Sequence, residues 1–453
     1  MLSPQKVGLL QAFLGGLPTN LAARLAKAVE VDRLTDGAAL PHEMILEGLR
    51  PVLSRGTFDR TPTPLRLFCR PFEDILTSAP REEKLRGRVA RSSILPVWDW
   101  VTMKLIPRSS HDYVSEIKSL LLSFRVDEAK ARAIDFWTES STAMRDALAT
   151  ERGRKQAETM LKDKRAVGDA AEIALLLGVG AHVLALQDKL PKPVPVFTEN
   201  LVDAAHATYN QLVECAPDAA PYVVVIAMNR LARRWEALRL AVKISGKTRD
   251  TLIASTDIGL VGEILFGELD QFSRAVREAR HPRFDVDALI ENVASFAELS
   301  SAIVKELELR RDGRWGQRLL KDRADIAAVM DGFMERVPKE IANALPTKKP
   351  TRPVDPEKIE RALRYASLVA GAKPFAAAAS FAASLKDAQD EAATHLRSYS
   401  DEALWELRSA EGAQRQAIQD QFALLIELTS LLCGEEEAEL LRRRNRATRP
   451  AAA

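Results

Sequence analysis

Between Tyr113 and Ile134 the apolar side chains fall at Tyr113, Ile117, Leu120, Phe124, Ala131 and Ile134. Three-four spacing of this kind gathers apolar groups on one stripe of an α-helix. It gathers them on no single face of a strand, where side chains alternate with period two. The same period runs through Phe284 to Glu308, and again through Trp315 to Val337 after a break at Asp312-Gly313. A chain patterned this way builds its core by packing helices on helices. The expected fold is all-α and multi-helical, an irregular helical array with a C-terminal helical hairpin or bundle. Val223 to Met228 is the one run where a strand competes with a helix.

At 453 residues the chain exceeds one ordinary domain, and its prolines suggest where it divides. Residues 1–110 are expected to form a proline-punctuated subdomain of short helices. These include one starting near Pro18-Thr19-Asn20 and one over His42 to Leu53, with Trp98 and Trp100 supplying core or docking area. A central helical domain is expected over 111–345, subdivided at 188–197 if the LPKPVPVF segment separates two layers. Within it, the charged helix from Glu151 is expected to end at Gly168, and Asp169 to cap an apolar helix running to Gln187. Pro346, Pro350, Pro353 and Pro356 mark a linker over 346–356, a C-terminal helical module fills 357–446, and 447–453 is a tail. In that module Phe375, Ala379, Ala382, Leu385, Ala392 and Leu396 form one stripe. A second helix from Asp401 to Leu432 carries a seam of Leu404, Leu407, Ile418, Phe422, Leu425 and Leu432, interrupted by Glu411 and Gln414. A partner helix, including one from a second copy, would complete that seam.

The 65 basic side chains nearly balance 63 acidic ones, which argues against a surface given over wholly to nucleic acid or anionic lipid. Cys69, Cys215 and Cys433 stand singly without a CxxC spacing, so a reducing, cytoplasmic compartment is the simplest expectation. Residues 1–14 lack a signal-peptide pattern. The longest apolar run, Ile173 to Leu186, is interrupted by Gly178, Gly180 and His182, and falls short of the roughly 20 residues a membrane helix needs. No membrane span is expected.

The most concentrated chemistry lies in Tyr222 to Phe266. Residues 241–248 (AVKISGKT) resemble a relaxed Walker A pattern, with alanine for the first glycine and Gly246, Lys247 and Thr248 as the phosphate-binding candidates. That motif works when a strand feeds a loop of backbone N–H groups into a helix. Here the preceding residues continue a helical stripe through Val224, Met228, Leu231, Trp235, Leu238 and Val242, so a helix C-terminal turn stopped by Gly246 is the stronger reading. Arg230, Arg233, Arg234, Arg239 and Lys243 form a basic element that would contact an anion or a partner. The plainer reading folds it back as a hairpin, with Trp235 in the core and the cations against Asp250, Asp257, Glu263, Glu268 and Asp270.

Gly178-Val179-Gly180 lacks the third glycine of a dinucleotide loop and reads as close packing or a kink. Glu199, Asp203 and His206 share a helix face but make a weak ligand set, so no metal and no cofactor are expected. No nucleophile or zinc-protease signature occurs, and no catalytic residue is assigned. This leans away from an enzyme, although carboxylates brought together by folding are invisible in a sequence. The leading expectation is a non-catalytic cytoplasmic interaction protein, an adaptor, scaffold or assembly factor that associates helix on helix. The alternatives are a nucleotide or phosphate ligand at the 241–248 turn, and nucleic-acid or anionic-surface binding through the 230–249 face. Nucleic acid is the less favoured partner.

Overall fold

The computed structural model describes residues 4–34, 40–53, 62–79, 84–85, 87–279, 283–346 and 355–447. The fold is all-α and multi-helical. Extended structure among the described residues is confined to a parallel pair, β1 (Leu76–Thr77) with β2 (Val89–Ala90), and two isolated bridges. The chain forms two compact units, 1–240 and 241–453. Most of the linker expected over 346–356, and the tail beyond 447, lie outside the described residues.

The first unit opens with α1 (Pro4–Gly15), α2 (Thr19–Leu34) and α3 (His42–Leu53), joined through Leu14, Ala22, Ala26, Leu49, Val52 and Leu53. Thr63 then caps α4 (Pro64–Cys69) by accepting the Arg66 N–H at 3.2 Å. After α5 (Ile94–Trp100) come α6 (Pro107–Leu122) and α7 (Val126–Ala149), so the stripe from Tyr113, which fits one long or one once-broken helix, is broken once near Phe124. Phe68, Phe72, Trp98, Tyr113 and Phe136 form an aromatic cluster between these elements, and the Trp137 ring N–H donates to the Leu67 carbonyl at 3.0 Å.

Two expected boundaries move. The charged helix α8 (Glu151–Leu161) stops at Lys162, whose φ is +55°, and Asp163 caps α9 (Lys164–Gly178). Gly168 and Asp169 therefore lie inside α9. Asp169 is not a cap because it is buried, and it accepts from the Ser93 hydroxyl at 2.5 Å and pairs with Lys84 at 2.7 Å. The apolar run continues as α10 (Gly180–Lys189) after a 75° bend. A β-carbon at Gly180 would stand 2.5 Å from the Trp137 ring, so close approach explains this glycine. No single helix among the described residues is long and apolar enough to cross a membrane.

The unit continues with α11 (Glu199–Cys215) and α12 (Tyr222–Arg230). Val223 to Met228, the run where a strand competed, is helical and buried at every position. A helix apolar all round is a helix surrounded by protein, and continuous hydrophobicity alone does not separate it from a buried strand. The stripe from Val224 to Val242 is not one helix, however. Backbone groups at 230–232 bridge to Val194, with Val194 N–H donating to the Arg230 carbonyl at 2.8 Å and Ala232 N–H to the Val194 carbonyl at 2.9 Å. A 3-10 turn over Arg234–Glu236 leads into α13 (Ala237–Ser245), which carries the chain across the division between units.

The second unit contains α14 (Asp250–Ala254), α15 (Leu260–Glu278), α16 (Val286–Glu306), α17 (Arg314–Met334) and α18 (Val337–Ala344). These are followed by α19 (Pro356–Ala372), α20 (Ala382–Leu407), α21 (Gly412–Leu432) and α22 (Glu435–Ala447). Phe266 stacks on Trp315 where α15 meets α17, and Phe284, Phe333 and Tyr365 close a second cluster. The stripe expected from Phe375 is helical in α20 only from Ala382, because residues 373–381 turn and Ser380 takes a φ of +67°.

Candidate functional site

The basic element at 230–249 is largely engaged within the structure, and not as a hairpin against the acids downstream. Arg230 is 7% exposed. Its guanidinium donates to Asp74 at 2.9 Å, to the Gln187 carbonyl at 3.2 Å, and to the Leu190 carbonyl. Asp74, itself 5% exposed, also accepts from the Gln187 side chain at 3.0 Å. A cation held this way positions backbone and is closed to an outside anion, which corrects its assignment as a contact residue. Arg233 pairs with buried Glu236 at 2.7 Å and lies over Trp235, which is half-buried rather than central. Arg234 donates to Asn229 at 2.9 Å. Arg239 reaches Glu199 at 3.1 Å and the Phe197 carbonyl at 2.6 Å. Lys243 is half-buried on α13. The partners of Arg230 and Arg239 come from upstream, so sequence proximity pointed to the wrong acids.

Gly246, Lys247 and Thr248 join α13 to α14, and Gly246 takes a φ of +62° after the last helical residue. A helix, not a strand, therefore feeds the turn. Ser245 accepts the Lys247 N–H at 3.2 Å, and the Thr248 carbonyl accepts from Glu308 at 3.0 Å. Lys247, Thr248 and Arg249 do line a shallow hollow with Glu308 across from them. The Lys247 N–H is already taken by Ser245, and the helix feeding the turn is not the strand that a phosphate loop follows.

The C-terminal seam is already occupied. The expected helix from Asp401 to Leu432 is two helices, because the chain turns at 408–411, where the Arg415 side chain donates to the Leu407 carbonyl at 2.9 Å. Leu407, Ile418, Phe422 and Leu425 are each 0% exposed and Leu432 is 5% exposed, while Leu404 is half-buried. Helices α19 and α20 pack on α21 and cover this seam, so no external helix is required to complete it.

Two features escaped sequence reasoning. One is a carboxyl pair between α15 and α17. Asp322 is 5% exposed, and its carboxyl is pushed up to about 7, first by burial and then by Asp270 beside it. Arg318 pairs with Asp270 and reaches Glu263 at 3.4 Å, while Glu263 also accepts the Trp315 ring N–H at 2.8 Å. Their chain separation hid the pair, since nothing local links Asp270 to Asp322.

The other is the outer face of α1. Its inner side sends Leu14 into the three-helix core, with Leu10 beside it. Leu9 and Phe13, one helical turn apart, point outward at 72% and 66% exposure. Gly8, Ala12 and Gly16 are exposed alongside them, leaving a furrow of nearly bare backbone. No acidic residue occurs in Pro4–Gly15, and Lys6 supplies its one charge. The signal was present in the sequence, where Leu9, Leu10, Phe13 and Leu14 form an apolar face broader than one packed neighbour covers.

For catalysis the described residues offer little. They contain no group of three or more side chains suited to a metal ion. Cys69, on the wall of a cleft of about 520 Å³ between α3 and α4, has its thiol pushed far up by burial and by Glu73, which opposes the thiolate a nucleophile needs. An all-α array with an apolar helix face open to solvent is the class defined by this geometry. Comparison with protein-family models, curated proteins and solved structures finds no match for the chain.

Proposed function

We propose that the protein is a non-catalytic interaction protein that takes an apolar helix of a partner protein along the outer face of α1. The observation carrying this reading is the exposure of Leu9 and Phe13 beside the Gly8–Ala12 furrow. The apolar face of a helix is normally covered across its width, and the three-helix core covers only the Leu10 and Leu14 side of α1. Its furrow admits the ridge of another helix, with Leu9 and Phe13 as knobs on one edge. Burying both side chains contributes about 3–6 kcal/mol before the lost freedom of association is counted. That loss alone is at least about 4 kcal/mol, so a stable complex needs contacts beyond α1.

The test replaces Ala12 with a photo-crosslinking residue in the full chain and illuminates it in cells of the source organism. A discrete adduct is expected, mapping to an apolar helical segment and disappearing in Leu9→Ser/Phe13→Ser at unchanged thermal stability. An undiminished adduct in that variant, or one mapping to a polar, non-helical segment, refutes the reading.

A further inference from the structure

Helix α22 packs along α21 but reaches α20 chiefly at its edge. Arg397 on α20 donates to Glu437 on α22 at 3.0 Å, and Asp401 pairs with Arg444 at 3.9 Å. Between these two ion pairs lies a cavity of about 350 Å³, at the lower end of the roughly 300–1,000 Å³ of small-molecule sites. Leu396 and Leu440 supply apolar walls. Ser400 lines the same cavity at 2% exposure, and its hydroxyl oxygen has no hydrogen-bond partner among the described residues. A buried hydroxyl left this way forfeits a hydrogen bond, which a bound acceptor would restore.

The site's chemistry restricts its ligand. Ser400 stands three residues after Arg397, so both lie on one side of α20. Arg397 already holds a carboxylate, that of Glu437, and exchanging it for another leaves the guanidinium neutralised throughout. We propose that this cavity binds a small monocarboxylate with an apolar body. The carboxylate accepts from the Ser400 hydroxyl and the Arg397 guanidinium, and the body lies against Leu396 and Leu440. Glu437 swings to solvent on binding. The site is independent of α1.

Cys433 lines the cavity, whereas Cys215 is exposed on α11, so the protein contains a reporter and its own control. Full-length protein is alkylated with iodoacetamide across an octanoate titration, and each thiol is followed by mass spectrometry. Octanoate is expected to slow Cys433 alkylation and leave Cys215 unchanged, while octylamine protects neither. Ser400→Ala and Arg397→Gln are each expected to raise the protecting concentration about tenfold. Arg397 is 65% exposed and the Ser400 hydroxyl has no partner to lose, so both variants are expected to fold. Cys433 reactivity indifferent to octanoate, equal protection by octylamine, or undiminished protection in both variants overturns the proposal.

Discussion

Replacing Asp322 with asparagine is expected to remove a pH dependence from the second unit. In the native protein the Asp322 carboxyl is held protonated up to about 7, against an ordinary value of 3.8, by burial and by the neighbouring Asp270. A folded-state value above the unfolded one stabilises fully below the unfolded value, and that contribution is lost as pH rises through the folded one. Its window is therefore about pH 4 to 7. At about 1.4 kcal/mol per pH unit, the interval from 3.8 to about 7 corresponds to at most on the order of 4 kcal/mol. The side chain introduced by Asp322→Asn stays neutral across this window, and its amide donates to Asp270 in place of the shared proton. The assay is urea-dependent hydrogen exchange of peptides from α15 and α17, read at several pH values between about 5 and 8. Native protein should lose stability in these helices as pH rises, and Asp322→Asn should lose markedly less, becoming the more stable form near the alkaline end. Asp325→Asn breaks the pair with Arg277 and removes the smaller repulsion that Asp325 exerts on Asp322, so it should lessen the slope far less than Asp322→Asn does. Parallel profiles for native and Asp322→Asn protein would show that Asp322 is ionised throughout and that the reasoning fails.

Two further outcomes bear on the first unit. Arg230→Met leaves the buried Asp74 carboxylate with only the exposed Lys192 ammonium at 3.5 Å as its cation and should cost up to roughly 3–5 kcal/mol in chemical denaturation, with Asp74→Leu/Arg230→Met recovering part of the loss. Gly180→Ala and Gly168→Ala should act with opposite signs in the same measurement. The first forces a methyl against Trp137 and destabilises by about 1–3 kcal/mol, while the second has nothing within 4 Å and gains up to about 1 kcal/mol of helix propensity. Equal effects at the two glycines would refute the close-approach account.

Helical class was legible because period is a local property, repeated at Tyr113–Ile134, in α16 and in α17. Breaks were less legible when a distant group set them. The bridge from Val194 interrupts the stripe at 230–232, and Asp169 resembles a cap until Ser93 and Lys84 are seen to hold it inside α9. The basic element was visible, but its partners Asp74 and Glu199 lie upstream, where spacing gives no guidance. Glu411 and Gln414, which interrupt the apolar seam in the sequence, flank the start of a helix after a turn. At α1 the pattern itself was legible, since Leu9, Leu10, Phe13 and Leu14 spread over an arc wider than one packed neighbour covers.

The clamp between Asp74 and Arg230 joins positions 156 residues apart. During synthesis at about 5–20 residues per second, Asp74 waits roughly 8–30 s for Arg230 to be made. Until then the cation already made beside it is Lys192, 3.5 Å from Asp74 and half exposed in the fold, so the carboxylate has to remain largely hydrated. The surroundings of Asp74 therefore cannot close permanently on a nascent chain that ends before Arg230. Docking of α12 sets the moment at which the first unit becomes committed to its native arrangement.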